Sequence, residues 1–179
     1  MSEKKKILAI SGSTRKDSNN LQILNVIGKL LESEFDYQIF HGLADLPHFN
    51  PDIDNETPPK EIVDFRKLVE DSVGIIICTP EYVFSIPGAL KNAIEWMVST
   101  TIFSDKPTVL ITASGLGEKA HESLLLIMKT LGADTPEKSQ LLIKGVRSKI
   151  KDEQFSDPDT FERVKLLVNS LKESINKKA

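Results

Sequence analysis

Short runs of continuous apolar residues alternate along this chain with stretches whose apolar residues recur at helical spacing. The runs are Ile7-Leu8-Ala9-Ile10, Val73 to Cys78, Val109-Leu110-Ile111 and a weaker Leu141-Leu142-Ile143. A strand that is apolar at every residue is covered on both faces, as happens in a parallel sheet. Phe35 to Phe40 alternates in polarity and predicts a more exposed strand. Helical stripes lie between the runs: Leu21 to Leu31, Ile62 to Val69 behind Pro58-Pro59, Leu90 to Met97, Leu124 to Leu131 and Phe161 to Leu171. Gly132 predicts the end of the fourth helix, and Asp157-Pro158 the start of the fifth. The pattern predicts an α/β, doubly wound sheet with right-handed crossovers, and it has too few units for an eight-stranded barrel. Ligands in such sheets bind beyond the carboxyl ends of the strands. The loops that follow residues 10, 78 and 112 are therefore the ones to inspect.

Composition narrows the function classes. The 179 residues suit one domain spanning 1–179, and a chain of this size buries roughly 70% of its unfolded surface without disulfides or metals. With 23 Lys and Arg against 26 Asp and Glu, the net charge of −3 argues against nucleic acid as a partner. No apolar stretch approaches the roughly 18 residues of a membrane span, and Ile7 to Ile10 is far shorter than the apolar core of a signal peptide. Lys4, Lys5 and Lys6 read as a solubilising flank ahead of a strand. The single Cys78 excludes an intrachain disulfide and a multi-cysteine zinc site. These features predict a soluble cytoplasmic protein.

The first of the three loops, Ser11-Gly12-Ser13-Thr14-Arg15-Lys16-Asp17-Ser18-Asn19-Asn20, leads into a helix. Helix N-termini present unpaired N–H groups that attract phosphate, and Arg15 adds a forked cation. The segment lacks GxxxxGK(S/T), and Gly12 stands without the other glycines of GxGxxG. The second loop, Thr79 to Gly88, carries Tyr82 and Phe84 between Pro80 and Pro87. These aromatics form either a wall for a flat ring or a cap on the core. The third loop, Ala113 to Ala120, holds Ser114, Gly115 and Gly117, which suit close approach to a ligand or merely a tight turn.

Gly12, Ser13, Arg15, Ser18 and Asn20 stand at the positions of a GSxRxxSxN segment, and Thr79 to Trp96 carries PEY followed by SIPGxLKNAIxW. With these motifs the chain resembles the NAD(P)H-dependent FMN reductases, over roughly Lys6 to Leu171. The resemblance implies a flavodoxin-like three-layer sandwich with strand order 2-1-3-4-5, with FMN as cofactor and NADPH or NADH as co-substrate. It implies hydride transfer to FMN, then electron transfer to a small acceptor such as a quinone, free flavin, azo compound or chromate. Ser11, Ser13, Arg15, Ser18, Asn19 and Asn20 would hold the flavin phosphate and its approach, with Arg15 open to sharing by the nicotinamide cofactor's phosphate. Pro80, Glu81, Tyr82, Val83 and Phe84 would line the isoalloxazine, largely through backbone, and Ser114 and Gly115 would close its other edge. No side chain is required as an acid-base catalyst. A homodimer or homotetramer is implied, with Trp96 open to a subunit contact or a core position. Two departures stand out: Val83 replaces the family's usual Asn, and Glu118-Lys119 replace glycine in the third loop. The alternatives are a flavodoxin-like electron carrier and an FMN-binding regulatory module.

Other residues invite chemistry less well. His41 and His48 flank Asp45 without the spacing of a metal pair, and His121 is expected to be exposed at a helix start. Cys78 ends a buried strand, where a thiol is inert. No serine sits in GxSxG. Lys144, Arg147, Lys149 and Lys151 form a solvated basic face.

Overall fold

The computed structural model describes residues 4–178. Five parallel strands, β1 (Lys6–Ser11), β2 (Asp36–Phe40), β3 (Gly74–Thr79), β4 (Thr108–Ser114) and β5 (Gln140–Lys144), form one sheet in the order β2-β1-β3-β4-β5. This is the α/β flavodoxin-like order, with its topological switch point between β1 and β3. β3 is buried along its whole length, which is why Ile75 to Cys78 run apolar without a break; β2, at one edge, is half exposed and alternates.

Helices α1 (Asn19–Leu31) and α5 (Pro158–Lys177) cover one face, on Ile7, Ala9, Ile76, Val109 and Ile111. On the other face α2 (Lys60–Glu70), α3 (Gly88–Glu95) and α4 (Glu118–Thr130) pack on Leu8, Ile10, Ile75, Ile77 and Leu110. The predicted boundaries at Gly132 and Asp157-Pro158 hold: Gly132 has φ +75°, and Asp157 caps α5 with Pro158 in its first turn. A small hairpin, β6 (Ile150–Lys151) with β7 (Gln154–Phe155), lies on α1, where Glu153 accepts from Asn25 Nδ2 (2.8 Å) and Lys29 Nζ (2.5 Å). Its turn residues Asp152 and Glu153 take positive φ, and no glycine marks them in the sequence.

At the amino edge of the sheet, Lys106 caps the C-terminus of α2. Its ammonium donates to the carbonyls of Val69 (2.7 Å), Glu70 (3.0 Å) and Ser72 (2.8 Å). Partial burial pulls the Lys106 pKa below its ordinary value.

Trp96 is fully buried, which settles the choice left open by the sequence in favour of the core. The helical stripe through Leu90, Ala93 and Ile94 runs past the last turn of α3, which ends at Glu95, so periodicity alone did not separate a core position from a surface one.

Candidate functional site

Parallel register aligns the carboxyl ends of the central strands, pairing Ser11 with Cys78, Thr79 with Thr112 and Ser114 with Lys144. The three loops therefore emerge side by side along one edge. Gly12 N continues the ladder by donating to Cys78 O (2.8 Å). A Cβ on Gly12 would lie 2.3 Å from Thr79 Oγ1, so only glycine allows the first and second loops to meet this closely.

The first loop is folded by its own hydroxyls. Ser11 Oγ donates to Ser13 O (3.1 Å), and Arg15 N donates to Ser13 Oγ (3.3 Å). Ser18 caps α1 by accepting from Leu21 N (3.1 Å). The backbone N–H groups of Asn19 and Asn20 find no hydrogen-bond partner among the described residues, and neither does the exposed Arg15 guanidinium. Asn20 itself is buried and turned towards β3, where its Oδ1 accepts from the Cys78 thiol (3.3 Å). Its side chain anchors the start of α1 to the sheet.

In the second loop Tyr82 and Ser85 exchange backbone hydrogen bonds of 2.9 and 3.1 Å, making a two-residue turn of Val83 and Phe84. Both take left-handed φ, 51° and 55°. The aromatics do not cap the core: Tyr82 is 48% exposed, Phe84 72% and Val83 96%. Left-handed backbone costs an L-residue roughly 1–2 kcal/mol, and a β-branched side chain there is a marked outlier. Asparagine tolerates this region, which gives the Val83 departure a physical meaning. Val83→Asn is expected to stabilise the apoprotein by about 1 kcal/mol, raising Tm by roughly 2–4 °C. FMN affinity should stay within about twofold if this position acts through backbone. Thermal denaturation and a flavin titration check both; an unchanged or lower Tm contradicts the strain argument.

Glu81 behaves differently from its neighbours. Its carboxylate reaches the start of α4, accepting from Gly117 N (3.2 Å), Lys119 N (2.9 Å) and Ala120 N (2.9 Å). Sequence reading missed this contact, because nothing local signals a helix cap supplied from 36 to 39 residues away. Gly117 precedes α4 with φ +101° and has no side chain with which to cap it. In the third loop Gly115 O accepts from Gly145 N (3.0 Å), while Gly115 and Leu116 are exposed. Glu118 and Lys119 do not leave bare charges at the rim, since Glu118 pairs with Lys144 and Lys119 with Glu122 (2.8 Å).

A family model described as NADPH-dependent FMN reductase matches residues 5–147 of this chain. The chain belongs to that family. It is 29% identical to a quinone reductase of Escherichia coli K12 over 168 residues, covering 90% of this chain and 86% of the relative. FerB, a flavoenzyme NAD(P)H:(acceptor) oxidoreductase from Paracoccus denitrificans, superimposes with TM-score 0.80 at 27% identity, covering 97% of this chain and 98% of FerB. An archaeal flavodoxin at 14% identity and TM-score 0.64 shares the fold, covering 94% of this chain and 98% of its own.

As a member of the NADPH-dependent FMN reductases, the chain is an oxidoreductase that uses FMN and NAD(P)H. The residues present fit a phosphorylated flavin. A helix N-terminus whose Asn19 and Asn20 N–H groups have no partner among the described residues, with the exposed Arg15 in the loop before it, suits a phosphate dianion. An edge of small residues and exposed loop backbone leaves room for a flat ring, and no side chain lies within 4 Å of a Cβ placed on Gly115.

Residues outside these loops play other parts. Burial pushes the Cys78 thiol well above its ordinary pKa, so it stays protonated and unreactive. His121 is half-buried rather than exposed, its Nδ1 3.0 Å from Thr112 Oγ1, and burial lowers its pKa. Lys149 of the basic face pairs with Asp157 at 3.2 Å. Among the described residues no group of three His, Cys, Asp or Glu is placed to hold a metal ion, and no helix is long and apolar enough to cross a membrane.

Proposed function

We propose that this carboxyl edge is the flavin site of a single-domain NAD(P)H:quinone-type reductase. One observation carries the reading: the α1 N-terminus, where the N–H groups of Asn19 and Asn20 and the Arg15 guanidinium have no partner among the described residues, lies on the same edge as the exposed second and third loops. When bound, FMN supplies a ring that takes a hydride from NAD(P)H and passes two electrons to a small acceptor.

The chain's own residues bind and orient. The N–H groups of Asn19 and Asn20 at the α1 N-terminus hold the phosphate, Arg15 adds bidentate charge, and Ser13 and Ser18 fold the loop on its approach. Ser11 shapes the loop by holding Ser13. The backbone of Pro80 to Phe84 supports one edge of the ring, and Ser114 with Gly115 the other. No side chain at this edge need move a proton for hydride transfer, so placement is the protein's contribution; in well-aligned systems it supplies roughly 7–11 kcal/mol. A single domain offers one such edge, so donor and acceptor use it in turn.

The exposed apolar side chains Tyr82, Val83, Phe84 and Leu116 lie on the second and third loops at this edge. They support a homodimer or homotetramer in which a second copy covers the site. Use of NAD(P)H supports a cytoplasmic location. The E. coli relative's name supports a quinone as the acceptor. Initial rates with FMN-loaded protein, NADPH and a benzoquinone test the reading. Parallel double-reciprocal lines are expected from a shared site; converging lines, or no NADPH oxidation, contradict it.

A further inference from the structure

We propose that Glu81 is a positioning residue: it latches the third loop to the second, so that one carboxylate sets the spacing of the two loops that bracket the flavin ring. The proposal rests on the flavin site assigned above. An α-helix leaves its first backbone N–H groups unsatisfied and carries a partial positive charge of roughly half a unit there. The residue before α4 supplies no side-chain cap, because it is Gly117, in the left-handed region. Glu81 supplies one from the second loop, with Oε1 on Gly117 N–H and Oε2 on Lys119 and Ala120 N–H.

The position of Glu81 in the chain gives this contact its consequence. Glu81 directly precedes the strained turn, whose backbone geometry at Val83 and Phe84 the fold must hold in place. On its far side the third loop is tied by Gly145 N to Gly115 O (3.0 Å). Ser114 to Gly117 is therefore fixed from both sides, once by backbone and once by the Glu81 carboxylate. A site tolerates only small errors in the placement of its loops. The latch also occupies the positive end of the α4 N-terminus with a carboxylate of the chain itself.

Glu81→Gln keeps the length but offers a single acceptor oxygen and sets an NH2 group against N–H donors. Glu81→Asp keeps the charge but falls short by one methylene. Lys106→Met removes a helix cap of similar extent at the opposite edge of the sheet, and serves as the control for lost stability. Amide exchange on the apoproteins and FMN titrations on all of them separate the possibilities. Glu81→Gln and Glu81→Asp are expected to expose the Gly117, Lys119 and Ala120 amides, to weaken FMN binding by about tenfold and to alter the bound flavin's visible band. Lys106→Met should lower Tm with FMN affinity unchanged. If the Glu81 variants lose stability but bind FMN as the parent does, Glu81 is only a helix cap and the proposal falls. If Lys106→Met weakens FMN binding equally, the effect is one of general stability and the proposal also falls. If the parent protein does not bind FMN, the flavin reading itself fails, a result separate from either of these.

Discussion

Trp96→Ala is expected to cost about 3–5 kcal/mol of folding stability, the usual loss for deleting a buried large aromatic. For a chain of this length that is a fall in Tm of roughly 6 °C or more. The indole is fully buried, donates from Nε1 to Pro47 O (2.8 Å) and meets Phe49 edge-on at 5.1 Å between ring centroids. Asn92 grips the same segment, accepting from Phe49 N (2.7 Å) and donating to Pro47 O (3.0 Å). The Trp96 carbonyl in turn accepts from Arg66 Nε (2.9 Å), so the residue joins α2, α3 and the segment around Pro47. Trp96→Phe keeps part of the ring and loses the hydrogen bond, so its cost should be smaller. Thermal denaturation measures both, and sedimentation of the Phe variant should give the parent's oligomeric state. A changed oligomeric state at parental stability would return Trp96 to the subunit interface.

Arg15→Ala is expected to weaken FMN binding by about 10–100-fold, the range for a lost hydrogen bond to a charged group, with Arg15→Lys in between. The Arg15 side chain is exposed and hydrogen-bonds to no other described residue, while the bond from its backbone N to Ser13 Oγ survives truncation, so Tm should hardly move. Flavin fluorescence quenching gives the affinity, and steady-state kinetics give the KM for NADPH. An unchanged FMN affinity with a raised KM for NADPH would instead assign Arg15 to the nicotinamide cofactor's phosphate.

The sheet was legible because β1, β3 and β4 are buried along nearly their whole length and so carry unbroken apolar runs at their centres. The three loops followed from strand order, since a doubly wound sheet gathers its functional loops at the carboxyl edge. What escaped the sequence depended on contacts distant along the chain or on backbone angles. Glu81 is chemically an ordinary loop carboxylate, and only the folded chain carries it to the start of α4. Val83 and Phe84 stand in left-handed backbone that neither residue type favours, so no propensity foretold the turn. Asn20 matched the motif for the phosphate loop, yet its side chain meets the Cys78 thiol, a pairing visible only once α1 is laid on β3. The β6–β7 hairpin was hidden for the same reason as the Val83 turn, since Asp152 and Glu153 replace the expected glycine.

The proposed flavin edge would hold FMN where NAD(P)H can reduce it directly. Anaerobic addition of NADPH to the FMN-loaded protein, with no partner protein and no acceptor present, tests it most directly. The bound flavin's visible absorption is expected to bleach fully, with one equivalent of NADPH consumed per flavin. A flavin that stays oxidised under those conditions, though tightly bound, would contradict it and leave the chain an electron carrier.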